Sequence, residues 1–180
     1  RIALVPEPDG SVPAFWRHIF APDIRDHAVS TLRPDGTVVG MRRATFDDWH
    51  IDACPHPGPS LAEDEAGRLH AAWFSGAPQN PGVFYGRLRD GGLDGLRRIG
   101  GETAEHADLA AAGSRVAIAW REFDGERTRL RGMISDDGTI NRAIVLNSGG
   151  AVVPGAATTP STLTTSSPTS RLYPNENSTD

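Results

Sequence analysis

The sequence predicts an all-β protein built from successive antiparallel sheets, and three observations predict it. Turn formers are dense, with 20 Gly and 14 Pro in 180 residues, which favours many short elements over long helices. Three short apolar runs pass through a tryptophan: VPAFWRH (12–18), LHAAWFS (69–75) and VAIAWRE (116–122). Each is followed by a second run, IRDHAVSTL (24–32), GVFYGRLRD (82–90) or RLRGMISDD (129–137), that ends in a turn rich in Asp and Gly.

The tryptophan runs set the repeat. The best-matched pair is Arg68-Leu69-His70-Ala71-Ala72-Trp73 against Arg115-Val116-Ala117-Ile118-Ala119-Trp120. Two of the three are preceded by a further strand and turn, HPGPSLAEDEAGR (56–68) and HADLAAAGSR (106–115), each opening on a histidine. In the first unit this strand is expected to lie upstream of Arg1. The alanines of 104–113 read as helical by propensity, but the register with 56–67 makes them a strand. A unit of three or four short strands joined by tight turns, repeated every 57 and 47 residues from Trp16 to Trp73 to Trp120, has the pattern of a β-propeller blade. The blades are expected at 2–46, 49–102 and 104–147, within a partial propeller of about three four-stranded blades over 1–150. The Ser/Thr/Pro-rich stretch 151–180 lacks apolar periodicity and is read as a disordered tail. A closed ring takes at least about four blades, so missing blades or another chain are expected to complete it.

Composition excludes several functions. Net charge is −5 and the 18 basic residues, all arginine, are scattered, so no basic block marks a nucleic-acid surface. One cysteine excludes an intrachain disulfide and a multi-cysteine zinc site. No apolar run of membrane-spanning length occurs. The chain opens on Arg1 without a signal-peptide pattern, which reads as a processed or cut terminus.

The turns carry a family resemblance. Ile134-Ser135-Asp136-Asp137-Gly138 and Leu88-Arg89-Asp90-Gly91-Gly92 resemble the Asp box of the sialidase superfamily, with Asp136 and Gly138, and Asp90 and Gly92, in the Asp and Gly places. Both lack the leading Ser and the closing aromatic. Leu32-Arg33-Pro34-Asp35-Gly36 keeps only Gly36. Across about 2–140 the chain resembles bacterial exo-alpha-sialidase-like propellers of the BNR type. The resemblance implies a sialidase-like, glycoside hydrolase-type or glycan-binding propeller in a secreted or periplasmic setting. The alternative is a non-catalytic propeller for a protein or ligand. In that family three arginines clamp a sugar carboxylate beside a Tyr–Glu pair and an Asp. No motif here matches them, so no catalytic residue carries over.

Site candidates come from where inner strands begin. Arg25, Asp26 and His27 enter one strand, Asp52 and His56 another, and His106 and Asp108 a third; together they would suit a glycan or small polar ligand. The competing reading is that they tie blades together. Cys54 and His56 form a Cys-x-His pair, but without further ligands at a defined spacing a buried inert thiol is the expectation, with no metal and no cofactor. Glu63-Asp64-Glu65 is expected to be a solvated turn, Arg42-Arg43 solvated charges, and the three tryptophans inter-blade packing.

Overall fold

A computed structural model describes residues 1–90, 92–136, 142–146 and 152–154. Three antiparallel meanders follow one another along the chain. The first sheet is β1 (Ile2–Leu4), β2 (Val12–Arg17), β3 (His27–Leu32) and β4 (Val38–Arg43). The second is β5 (Ser60–Glu63), β6 (Leu69–Ser75), β7 (Gly82–Arg89) and β8 (Gly92–Arg98). The third runs β9 (Ala104–Ala112), β10 (Arg115–Phe123), β11 (Thr128–Ser135), β12 (Arg142–Leu146) and β13 (Val152–Pro154). Strand order equals chain order throughout, as tight turns between antiparallel neighbours require.

The sheets pack face to face, and the pattern of burial shows it. One apolar core joins Val5, Phe15, Val29 and Ala44 of the first sheet and its linker to Leu61, Ala71, Trp73, Phe84 and Leu88 of the second. A second core joins Ala72, Val83 and Tyr85 of that same sheet to Ala107, Leu109, Val116, Ile118 and Trp120 of the third. The middle sheet is therefore covered on both faces, and β6 and β7 are buried almost continuously. In β10, by contrast, Val116, Ile118 and Trp120 are buried while Ala117 is exposed, the period-2 pattern of a strand covered on one face. The first strands of the three sheets lie side by side, β1 against β5 and β5 against β9. These are blades of a partial β-propeller with β1, β5 and β9 innermost.

Several expectations change. The inner strand of the first blade is present: Ile2–Leu4 pairs with β2, Ile2 opposite Trp16. Three residues are too few to show alternation in the sequence. The third blade has the expected fourth strand at Arg142–Leu146, but Val152–Pro154, inside the stretch read as a tail, pairs with it as a fifth. Otherwise the tail expectation and Gly138 lie outside the described residues. His56 and His106 are not equivalent. Ser60 pairs with Ala72 and Asp108 with Ala119, so His106 corresponds to Gly58. His56 sits in the linker, ahead of the buried Pro57 and Pro59. Those prolines enter β5, where missing N–H groups cost nothing.

Among the described residues, aspartates outside the box resemblance cap turns. Asp9 accepts from the Ser11 N–H at 2.8 Å and Asp35 from the Thr37 N–H at 2.9 Å. Asp64 accepts from the N–H groups of Ala66 and Arg68, both at 3.0 Å, and Asp124 from those of Glu126 and Arg127 at 3.1 and 3.0 Å. Each is an Asx turn, in which the side chain takes N–H groups that the tight chain reversal leaves unpaired. Asp90 is exposed, and Gly92 opens β8 at φ +128°. Asp136 is exposed in an ion pair with Arg115 at 3.1 Å.

Candidate functional site

The β1–β2, β3–β4, β5–β6, β7–β8 and β9–β10 turns lie at one end of the sheets. The other end carries the β2–β3 and β6–β7 loops and the linkers between blades, because each meander enters and leaves there. At this end a cavity of about 350 Å³ is lined by Arg1, Arg17, Arg25, Asp52, Cys54 and Pro57, among others.

Each arginine is placed by local structure. Arg17 ends β2 with the parity of Phe15, so it faces the second blade. Its guanidinium lies over the Trp49 ring, 4.7 Å from the centroid, and Nη2 donates to the Phe74 carbonyl at 2.6 Å. Nε and Nη1 are buried without a protein partner. Burial lowers the Arg17 pKa to about 10, with Asp47 and Asp26 opposing that shift; the group remains a cation at neutral pH. Arg25 is anchored through Nε to the Ile51 carbonyl at 3.2 Å. Arg1 reaches from the first blade to the third, where Nη2 pairs with Asp108 Oδ2 at 3.0 Å. The other oxygen of Asp108 accepts from Ser60 Oγ at 2.5 Å. Three inner strands are thus tied at the channel wall.

Behind the cavity, between the first two blades, lies a polar cluster. The Asp26 side chain is wholly buried and ion-paired with Arg43, which also binds Asp48. Burial pushes the Asp26 carboxyl up, against the pull of Arg43. His27 is enclosed by Phe15 and Trp73, with Nδ1 3.4 Å from Thr45 Oγ1. Burial, then the nearby Arg17 charge, holds its pKa well below the ordinary value, so the ring is neutral. Asp47 accepts from Trp73 Nε1 at 3.1 Å and is pushed up to about 6, first by burial and then by the Asp26 charge.

Of the expected site residues, Arg25 and Asp52 line the cavity, and Asp108 holds Arg1 at its rim. Asp26 and His27 are instead buried between blades. Both enter a strand, and nothing in the local pattern shows which way that entry turns. His56 is exposed in the linker, and His106 is exposed beside Glu105 at 3.5 Å with φ +53°. Arg17 and Arg1 are members that sequence reasoning missed; the alternation from Phe15 to Arg17 was the available signal. Arg43 is engaged with a buried carboxylate instead of being solvated. Cys54 is exposed, not buried, because no strand forms around it. No group of three or more His, Cys, Asp and Glu able to hold a metal occurs among the described residues. No helix among them is long and apolar enough to cross a membrane.

Trp49, the floor beneath Arg17, is held by an unusually close backbone. A Cβ on Gly76 would overlap the indole, 2.7 Å from Trp49 Cε2. Gly76→Ala is therefore expected to displace Trp49 from Arg17 and to cost about 1–3 kcal/mol, as overpacking does. Urea unfolding and tryptophan emission check it; an unchanged midpoint and spectrum would remove Trp49 from this role.

The fold and this site define a partial β-propeller with an arginine-lined cavity at the end where the chain enters and leaves each blade. No family model and no curated protein matches the chain. Among solved structures it is similar to a GH43 endo-arabinanase from Bacillus licheniformis, at 13 % identity and TM-score 0.48, over 86 % of this chain and 59 % of that one. It is also similar to the native Bacillus subtilis arabinanase Arb43A, at 15 % identity and TM-score 0.47, over 83 % and 54 %. The chain thus spans less than two thirds of each.

Proposed function

We propose that the chain is part of a sialidase-like, glycoside hydrolase-type propeller and that its own share of the work is to hold a carboxylated sugar at the channel mouth. The observation that carries this reading is the pair Arg17 and Arg25 on one cavity, with two Arg17 nitrogens buried and unpartnered. A buried guanidinium donor without an acceptor is costly, and a carboxylate oxygen supplies a charge-assisted acceptor for it. The Trp49 face beneath Arg17 excludes water, which strengthens the ion pair.

Hydrolysis of a glycoside ordinarily needs two carboxyl groups flanking the bond. Asp52 is the one carboxylate among the described residues that line the cavity. That observation favours binding without turnover by this chain as the second reading.

Titration calorimetry separates the outcomes. N-acetylneuraminic acid is expected to bind, a neutral N-acetylhexosamine to bind at least about tenfold more weakly, and Arg25→Ala to lose about 10–100-fold, the worth of one charge-assisted contact. Equal affinity for the acidic and neutral sugars, or an unchanged Arg25→Ala, would overturn the proposal. Release of fluorophore from a sialoside by the wild-type chain, abolished in Asp52→Asn, would overturn the binding-only reading.

A further inference from the structure

A second cavity, of about 440 Å³, opens between the first two blades at the end that carries the β1–β2, β5–β6 and β7–β8 turns, opposite the end that holds Arg17 and Arg25. Its walls are strands that face each other. On the first blade Pro13 opposes Thr31 and Val29 opposes Arg42; on the second Leu69 opposes Leu88. Val29 and Leu88 belong to the core between these blades and Leu69 packs against it, so alternation turns Arg42 and the three aliphatic side chains into the same gap. Arg68, Arg87 and Arg89 also border the cavity. Each is one step from Leu69 or Leu88, so its side chain leaves on the far face, where Arg68 meets Asp64 and the other two meet Asp94.

Arg42 is thus the guanidinium that enters this gap, and its bonding is incomplete. Nη2 crosses to the second blade and donates to the Arg89 carbonyl at 2.6 Å, while Nε is buried with no partner. The first bond holds the group in place over an apolar floor. Nε is left as a cationic donor that has lost water without gaining an acceptor, which is costly. The bordering carboxylates do not supply one. Glu7 continues the β1 edge through its backbone bond to Ser11, three strand spacings or roughly 14 Å from β4. Asp90 is exposed on the β7–β8 turn.

We propose that this cavity binds a small organic anion with an apolar body, a short aliphatic carboxylate. One carboxylate oxygen accepts from Arg42 Nε in a charge-assisted bond, and the hydrocarbon lies on Val29, Leu69 and Leu88, where its burial adds to the affinity. An apolar lining with one or two placed polar groups is the usual composition of a small-molecule site. The same floor discriminates against a sugar, whose hydroxyls would lose water there without finding partners. The ligand class therefore differs from the one proposed for the channel mouth, and the two cavities lie at opposite ends of the sheets.

Nuclear magnetic resonance titration of the isotope-labelled full chain tests this with hexanoate, acetate and hexan-1-ol. Hexanoate is expected to shift the Arg42 Nε–H signal, assigned by its absence in Arg42→Gln, together with the methyl signals of Val29, Leu69 and Leu88. It is expected to bind at least about tenfold more tightly than acetate, which lacks the hydrocarbon, and than hexan-1-ol, which lacks the charge. Arg42→Gln is expected to weaken hexanoate at least about tenfold and to leave hexan-1-ol within about twofold, since only the charged contact is lost. The ligand series on the wild type needs no variant to fold, and far-UV circular dichroism reports that Arg42→Gln does. Equal affinity for hexanoate and hexan-1-ol, no gain over acetate, hexanoate binding unchanged in folded Arg42→Gln, or shifts confined to Arg17 and Arg25 would each overturn the proposal.

Discussion

Replacing Trp73 by alanine is expected to destabilise the protein by about 3–5 kcal/mol, the range for deleting a large buried aromatic. The side chain is 0 % exposed and lies between the first two blades. Its ring stacks on Phe84 at 5.8 Å and meets Phe15 edge-on at 6.4 Å. Collapse cannot fill the void, because the rows on either side belong to hydrogen-bonded sheets. The change also takes the Nε1 donor from Asp47, a carboxyl that burial already disfavours as an anion. Against a total stability of about 5–15 kcal/mol, this approaches unfolding. Trp73→Phe keeps most of the contact and is expected to cost less than half as much. Trp16→Ala, at a half-buried position of the first blade, is expected to shift the unfolding midpoint less than Trp73→Ala. Urea denaturation of the three variants decides the matter. A cost for Trp73→Ala below about 1 kcal/mol would mean that the blades do not depend on this interface.

That comparison also shows why the fold was legible. Trp16, Trp73 and Trp120 are alike in sequence, and a face that packs on its neighbour demands the same large residue at the same register each time. Strand pairing followed from that one period. What escaped was whatever the period does not govern. Ile2–Leu4 carries too few residues to alternate. Asp64 reads as the middle of a solvated acidic turn, yet Arg68 at the end of that turn and His70 on β6 engage it, and it is buried. Asp26 and Arg43 are 17 residues apart and meet only when β3 and β4 pair. The cavity draws Arg1, Arg17, Arg25 and Asp52 from four separate segments, and no spacing along the chain encodes that convergence. His56 misled because two histidines before two inner strands look equivalent until the register places one in a linker.

Asp64→Asn is expected to cost about 1–3 kcal/mol at neutral pH, although it preserves shape. The side chain has no exposed surface, and both oxygens are engaged. Oδ1 caps the turn through the Ala66 and Arg68 N–H groups; Oδ2 accepts from Arg68 Nε at 2.6 Å and lies 3.1 Å from His70 Nε2. Burial, outweighing the Asp64 charge, lowers the His70 pKa, so the ring is neutral. Since an ionised carboxylate only accepts, Nε2 carries the proton and Nδ1 accepts from the Tyr85 hydroxyl at 2.6 Å. An asparagine amide keeps the turn cap but aims its own N–H groups at the Arg68 and His70 donors. Leaving the buried His70 N–H without an acceptor accounts for the magnitude. The pH dependence gives a second readout. Burial raises the Asp64 pKa, but these hydrogen bonds together outweigh it and lower the value from the ordinary 3.8 to about 2. A depressed carboxyl contributes stability that is complete above its unfolded value and is lost as pH falls through the folded one. The gap between wild type and Asp64→Asn is therefore expected to be widest at pH 7, to narrow below about pH 4 and to be smallest near pH 2. Urea unfolding of both proteins across that range measures it, and a gap that stays constant from neutral to acid pH would show that Asp64 does not act through its charge.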